Sequence, residues 1–132
     1  MASCSGASRD ARFAARRAAH AAEDARALEL AERAARRAPW DIDAALALAR
    51  VTAGPDSTAT LPAARWELAL VRAETAVRLS PRRAAARELR ATARLALGDL
   101  AGAWADMDQA VRLDPGQRRY VPLRDTIRER LE

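Results

Sequence analysis

The sequence predicts an all-helical protein, on three observations. Ala fills 36 of 132 positions, and Ala is the strongest helix former. Aromatic residues make up 4% of the chain and Ile and Val are scarce, which argues against sheets. Runs of helical character are closed by Pro39, Pro81 and Pro115, and proline stops one helix and suits the first turn of the next. The length fits one domain with a workable core. The Ala excess predicts thin, closely approaching helix contacts.

A pattern repeats before those prolines. Ala27, Ala34 and Pro39 have the spacing A-x6-A-x4-P, and so do Ala69, Ala76 and Pro81, and Ala103, Ala110 and Pro115. Seven residues is close to two helical turns, so each Ala pair lies on one face. The elements follow in order. Helices are expected near 9–21 and 25–37, separated at Ala22-Glu23-Asp24; that turn has no Gly, so residues 9–38 also read as one continuous helix. A helix over 41–52 starts where Asp41 and Asp43 complement the positive end of the dipole. AGPDSTATLP, residues 53–62, reads as a loop from its Gly, Pro, Asp, Ser and Thr. Helices over 63–79, 82–97 and 101–112 follow, the last two joined at Gly98-Asp99. Pro122 opens a final helix to 131, where Leu123, Ile127 and Leu131 form an apolar stripe and Arg124, Arg128 and Arg130 wet the opposite face. That polarity suits a capping helix, which must hide one face and solvate the other.

The last two closing prolines are 34 residues apart (115 − 81). With Leu97-Gly98-Asp99-Leu100, Ala103, Ala110 and Leu113-Asp114-Pro115, this unit resembles the tetratricopeptide repeat family. Leu89-Arg90-Ala91 and Ala93 fit a common variant of the first helix of such a unit. The second unit keeps Trp66, Ala69, Ala76, Leu79 and Pro81, with the surplus of its spacing in the loop. The first keeps Ala27, Ala34 and Pro39 but carries Arg37 where the others have Leu79 and Leu113. The resemblance implies a right-handed α-solenoid of about three helical hairpins plus a C-terminal capping helix. Its bounds are a flexible tail over 1–8, units at about 9–41, 42–81 and 82–116, and a cap over 120–131. It also implies an ion pair between Arg90 and Asp106.

By the same resemblance, the first helix of each unit lines a concave groove that receives a peptide or protein. The groove residues carried over are Arg9, Arg12, Arg16 and His20, then Asp43, Leu46 and Arg50, then Glu88, Thr92 and Leu95. Arg9, Arg12, Arg16 and Arg50 would form a basic end favouring an acidic or C-terminal segment. The family's carboxylate-gripping version uses Asn side chains, and this chain has no Asn.

Charge and reactive groups narrow the function. Net charge is +5, and all 23 basic residues are Arg. With the Ala excess this reflects a compositional bias. Acidic residues are interspersed, and Glu29/Arg33, Glu32/Arg36, Glu74/Arg78 and Asp108/Arg112 have the favourable i,i+4 order. Acids interrupt the Arg doublets at 16–17, 36–37, 82–83 and 118–119, and Trp and Tyr do not recur with them as a stacking platform, which argues against nucleic acid. Trp40, Trp66 and Trp104 read either as inter-helix packing or, if exposed, as partner anchors.

His20 is the single histidine. With Glu23 and Asp24 following it and no nucleophile nearby, it reads as a surface ion pair rather than a catalytic base. The pairs Asp41/Asp43 and Asp106/Asp108 point to different sides of a helix. The glycines are isolated, so no phosphate loop exists, and no ligand set for a metal is present. No cofactor is expected.

No run of about 18 apolar residues exists to span a membrane. Cys4 alone excludes an internal disulfide. MASCSG resembles the end of a bacterial lipoprotein signal, without the basic and apolar regions that should precede it. The sequence therefore predicts a non-enzymatic protein–protein interaction module, cytoplasmic as the sequence is written. The alternative is a cell-envelope lipoprotein scaffold anchored through Cys4, in the periplasm or outer membrane and acting in assembly of an envelope complex. Three units are near the minimum for a self-standing stack, so self-association through an end face is open.

Overall fold

The computed structural model describes residues 2–54 and 61–132, with side chains described from Arg9 onward. Six helices make up the order: α1 (Ala2–Arg37), α2 (Ile42–Thr52), α3 (Ala63–Leu79), α4 (Ala84–Ala96), α5 (Leu100–Leu113) and α6 (Tyr120–Leu131). There is no strand among the described residues. Local chemistry sets several boundaries. The Asp41 carboxylate accepts from the Asp43 N–H at 2.9 Å and caps α2. Asp99 accepts from the Gly102 N–H at 3.0 Å and caps α5. Between α4 and α5 the chain reverses at Gly98, whose φ is +87°. A residue with a Cβ costs about 1–2 kcal/mol in that left-handed conformation.

Each helix packs on the next, α1 on α2 through to α5 on α6, and α2 also touches α4. The predicted Ala faces meet in the two complete hairpins. Ala69 and Ala76 of α3, and Ala103 and Ala110 of α5, are all buried. One core cluster joins Ala84 and Ala91 of α4, Ala103, Met107 and Ala110 of α5, and Tyr120 and Ile127 of α6. A second joins Ala45 and Leu46 of α2, Ala76 and Val77 of α3, and Ala86 of α4. Each buried methyl-sized group contributes only about 0.8 kcal/mol, so the apolar contacts are modest. Long arginines span what remains. Arg65 of α3 donates to both carboxylate oxygens of Asp24 on α1 at 2.9 and 3.1 Å, and to the Val51 and Thr52 carbonyls at the end of α2 at 3.0 and 2.8 Å. Arg72 donates to Glu32 of α1 at 3.0 Å and to the buried Thr52 hydroxyl at 2.8 Å.

The first unit departs from the expected hairpin. The helices placed at 9–21 and 25–37 are one helix, α1, and the tail expected over 1–8 continues it from Ala2. The reason lies at Ala22-Glu23-Asp24. Counting from the repeated Ala positions, Ala22 stands where the α4–α5 turn has Gly98, and no glycine or proline interrupts residues 7–38. Helix formers then propagate the helix through the site of the turn. As a consequence Ala27 and Ala34, the packing pair of the pattern, are exposed. Most of the loop expected over 53–62 lies outside the described residues. The Cys4 side chain, the candidate lipidation site, also lies outside them. Among the described residues no helix is long and apolar enough to cross a membrane.

Candidate functional site

The stack has two sides. α2 and α4 touch across it, whereas α3 and α5, the second helices of the same hairpins, do not. The resemblance to tetratricopeptide hairpins makes this α2–α4 side the candidate groove, and α2 and α4 are the non-consecutive helices whose backbones approach each other. Asp43 and Arg50 on α2 and Glu88, Thr92 and Leu95 on α4 come from these two helices. Glu88, Thr92 and Leu95 follow one another at i, i+4 and i+7, so they share a face.

Their environments differ. Asp43 is exposed and accepts from Arg83 at 3.3 Å. Arg50 is exposed and pairs with no carboxylate among the described residues. The half-buried Glu88 accepts from Arg119, which precedes α6, at 2.8 Å. The Thr92 hydroxyl donates to the Glu88 carbonyl at 2.9 Å, which leaves its oxygen as an acceptor. Leu95 packs against the α4–α5–α6 core cluster. Leu46 departs from the expectation: it is 2% exposed. The close approach of α2 to α4 seals it against Val77 and Ala86, so it is core rather than surface.

Arg9, Arg12, Arg16 and His20 are not brought to this groove. Asp24 lies level with the end of α2, where Arg65 ties it to Val51 and Thr52. Helix α1 then runs on past the stack, and Arg16 and Arg9 sit about 12 and 22 Å beyond Asp24 along its axis. All four side chains are exposed. The basic end expected from Arg9, Arg12, Arg16 and Arg50 is therefore not assembled within one chain. His20 lies 3.9 Å from Glu23, both about 80% exposed, while Asp24 is taken by Arg65.

Asp106 is the electrostatic centre of the second hairpin and is 2% exposed. Arg90 reaches it at 2.6 Å, Arg94 at 2.9 Å and Arg87 at 3.8 Å. The Arg90 guanidinium is pushed above its ordinary pKa, first by the hydrogen bond to Asp106. Only Arg90 was expected in this cluster; Arg87 and Arg94 were legible as its i−3 and i+4 neighbours. Of the expected local pairs, Asp108–Arg112 forms at 3.0 Å, but Glu32 turns to Arg72 on another helix. Trp66 and Trp104 are half-buried, and Trp104 packs on the larger core cluster. Trp40 is 74% exposed in the α1–α2 turn.

Tyr120 opens α6 and is buried in the larger core cluster beside Glu88 and Arg119. Burial first, then a hydrogen bond to Glu88, pushes its phenol above the ordinary 10.0. A phenol whose folded pKa is raised loses its proton first in the unfolded chain. Its contribution to stability is complete below pH 10 and declines as pH rises through the folded value. The advantage of the natural chain over Tyr120→Phe in urea unfolding should therefore shrink above about pH 10. A difference independent of pH would contradict this assignment.

No family model matches the chain, and no curated protein sequence matches it. A solved structure does: the first tetratricopeptide repeat domain of Spaghetti (RPAP3) bound to the HSP90 peptide SRMEEVD. It superposes with a TM-score of 0.72 at 18% identity, covering 83% of this chain and 81% of that one. At that identity the likeness establishes the fold, an α-solenoid of tetratricopeptide-like hairpins.

Proposed function

From the tetratricopeptide-like fold, we propose that the protein is a non-enzymatic interaction module whose α2–α4 side receives an extended segment of a partner protein. The observation that carries this reading is the crowding of α2 against α4 while α3 and α5 stay apart. A surface on packed helices is pre-formed, so little ordering of the protein is needed on binding. The structural neighbour carries a peptide, which supports a peptide as the occupant here. An acidic segment suits the net charge of +5 and the exposed Arg50 on the groove wall.

Peptide display against the whole chain should enrich acidic sequences, and their affinity should fall with salt. Arg50→Glu should weaken the selected peptides about five- to tenfold and flatten that salt dependence. Val71→Glu, on exposed α3 surface away from the groove, should leave both unchanged. Equal effects of the two substitutions would remove the groove assignment.

A further inference from the structure

The Arg doublets at 36–37, 82–83 and 118–119 are far apart in sequence, but the fold brings them to one edge. Consecutive helices joined by short turns run antiparallel, so the turns alternate between two edges of the stack. The α1–α2, α3–α4 and α5–α6 turns therefore share an edge, and two ion pairs tie them in order. Arg83 reaches Asp43 at 3.3 Å, and Arg119 reaches Glu88 in the first half of α4 at 2.8 Å. Residues 36–43, 78–83 and 112–119 hold eight arginines and three aspartates, a net charge of +5 (8 − 3). All eight arginines are exposed. Arg83, Arg112 and Arg119 pair with carboxylates, whereas Arg36, Arg37, Arg82 and Arg118 pair with none among the described residues. Each turn also has an exposed apolar side chain beside its arginines: Trp40 in the first, Leu79 at the start of the second and Val121 just after the third. The turn at 97–99, on the opposite edge, has an exposed Asp99, no arginine and no exposed large apolar side chain.

We propose that this edge docks on an anionic phospholipid surface. The charge calls for a polyanion, and the apolar side chains decide which kind. Trp40, Leu79 and Val121 gain by entering the boundary between headgroups and acyl chains, where an indole ring is well placed. A nucleic-acid backbone offers them nothing, and one exposed Trp makes no run of stacking faces for successive bases. An acidic protein would be gripped by apolar anchors gathered at one centre; here they are spread along the edge, one to each group of arginines. The guanidinium groups beside them suit lipid phosphates, which they can hold with two hydrogen bonds at once. Each basic side chain near such a surface strengthens binding about fivefold, so the edge needs no inserted helix. The edge lies at the helix ends, whereas the proposed groove runs along α2 and α4, so lipid and partner segment meet different surfaces.

The test uses the whole chain and vesicles of phosphatidylcholine, with or without about one third phosphatidylserine. The chain should sediment with the anionic vesicles and not with the neutral ones, and added salt should weaken the association. Arg82→Glu with Arg118→Glu should lower the partition about a hundredfold, and neither side chain has an ion pair to lose. Arg128→Glu with Arg130→Glu makes the same change of charge near the far end of α6. That helix has 12 residues and spans about 18 Å, beyond a screening length of about 10 Å. This second variant should therefore bind within about threefold of the natural chain. Equal losses in the two variants would reduce the effect to net charge and overturn the proposal. Lipids with brominated acyl chains should quench part of the tryptophan fluorescence, and Trp40→Phe should abolish that quenching. Quenching that persists in the variant would put Trp66 or Trp104 at the lipid instead and would overturn the proposal, as would no partition onto anionic vesicles. An RNA duplex that binds the chain more tightly than the vesicles do would assign the edge to nucleic acid and overturn it as well. The vesicles carry no peptide, so the groove reading and the lipid edge stand or fall separately.

Discussion

Asp106→Ala is expected to lower the unfolding free energy by about 3–5 kcal/mol, the cost of stranding buried charge after one partner is removed. Asp106 is 2% exposed and faces Arg87, Arg90 and Arg94, whose side chains are themselves 18–24% exposed. Arg94 retains a second carboxylate, Asp99, at 3.8 Å; Arg90 keeps none so close among the described residues. The penalty comes from desolvated guanidinium groups rather than from a lost attraction. Replacing the closest pair, Asp106→Leu with Arg90→Met, should therefore recover part of the loss, since apolar groups of similar volume often substitute for a buried pair, while Arg87 and Arg94 still lose their carboxylate. Urea unfolding of the three chains checks this. A single substitution costing under about 1 kcal/mol would mean that the cluster behaves like a solvated surface pair.

Ala103→Leu is the second large effect. Ala103 is fully buried in the cluster with Ala110, Ala91 and Met107, and its small side chain lets α4 lie close against α5. Three added carbons have no space, and overpacking of this kind costs about 1–3 kcal/mol. Ala105→Leu is the control. Ala105 lies on the same helix but is exposed, so the change should stay within about 0.5 kcal/mol. If both substitutions were equally mild, Ala-mediated approach would not be what sets the spacing of the stack.

The positions of Ala69, Ala76, Ala103 and Ala110 were legible because helical period and proline punctuation fix a face before any tertiary contact is known. The same pattern failed at Ala27 and Ala34, and the reason was also in the sequence. A face is buried only if the chain can turn to cover it, and Ala22 lacks the left-handed freedom of Gly98. Leu46 shows another limit. Its place in the repeat puts it on the groove side, but only the closeness of α2 to α4 decides that this spot is sealed. The arginine ties were not readable. Arg65 and Arg72 find carboxylates 41 and 40 residues away, across a connection whose length says nothing of its path. Repeat position alone put Asp43 and Arg50 on α2 and Glu88 and Thr92 on α4, the two non-consecutive helices that approach each other. The engagement of Glu88 by Arg119 and Tyr120 depends on how α6 docks, which local spacing does not encode.

The central claim is that the α2–α4 side is the binding surface, and amide chemical-shift mapping tests it most directly. Titration of the isotopically labelled chain with an acidic peptide from the display selection should move the amides of α2 and α4 around Arg50, Glu88 and Thr92. Those of α3 and of the outer face of α5 should stay in place. Shifts concentrated on α3 and α5, with the α2–α4 amides unmoved at saturation, would contradict the account.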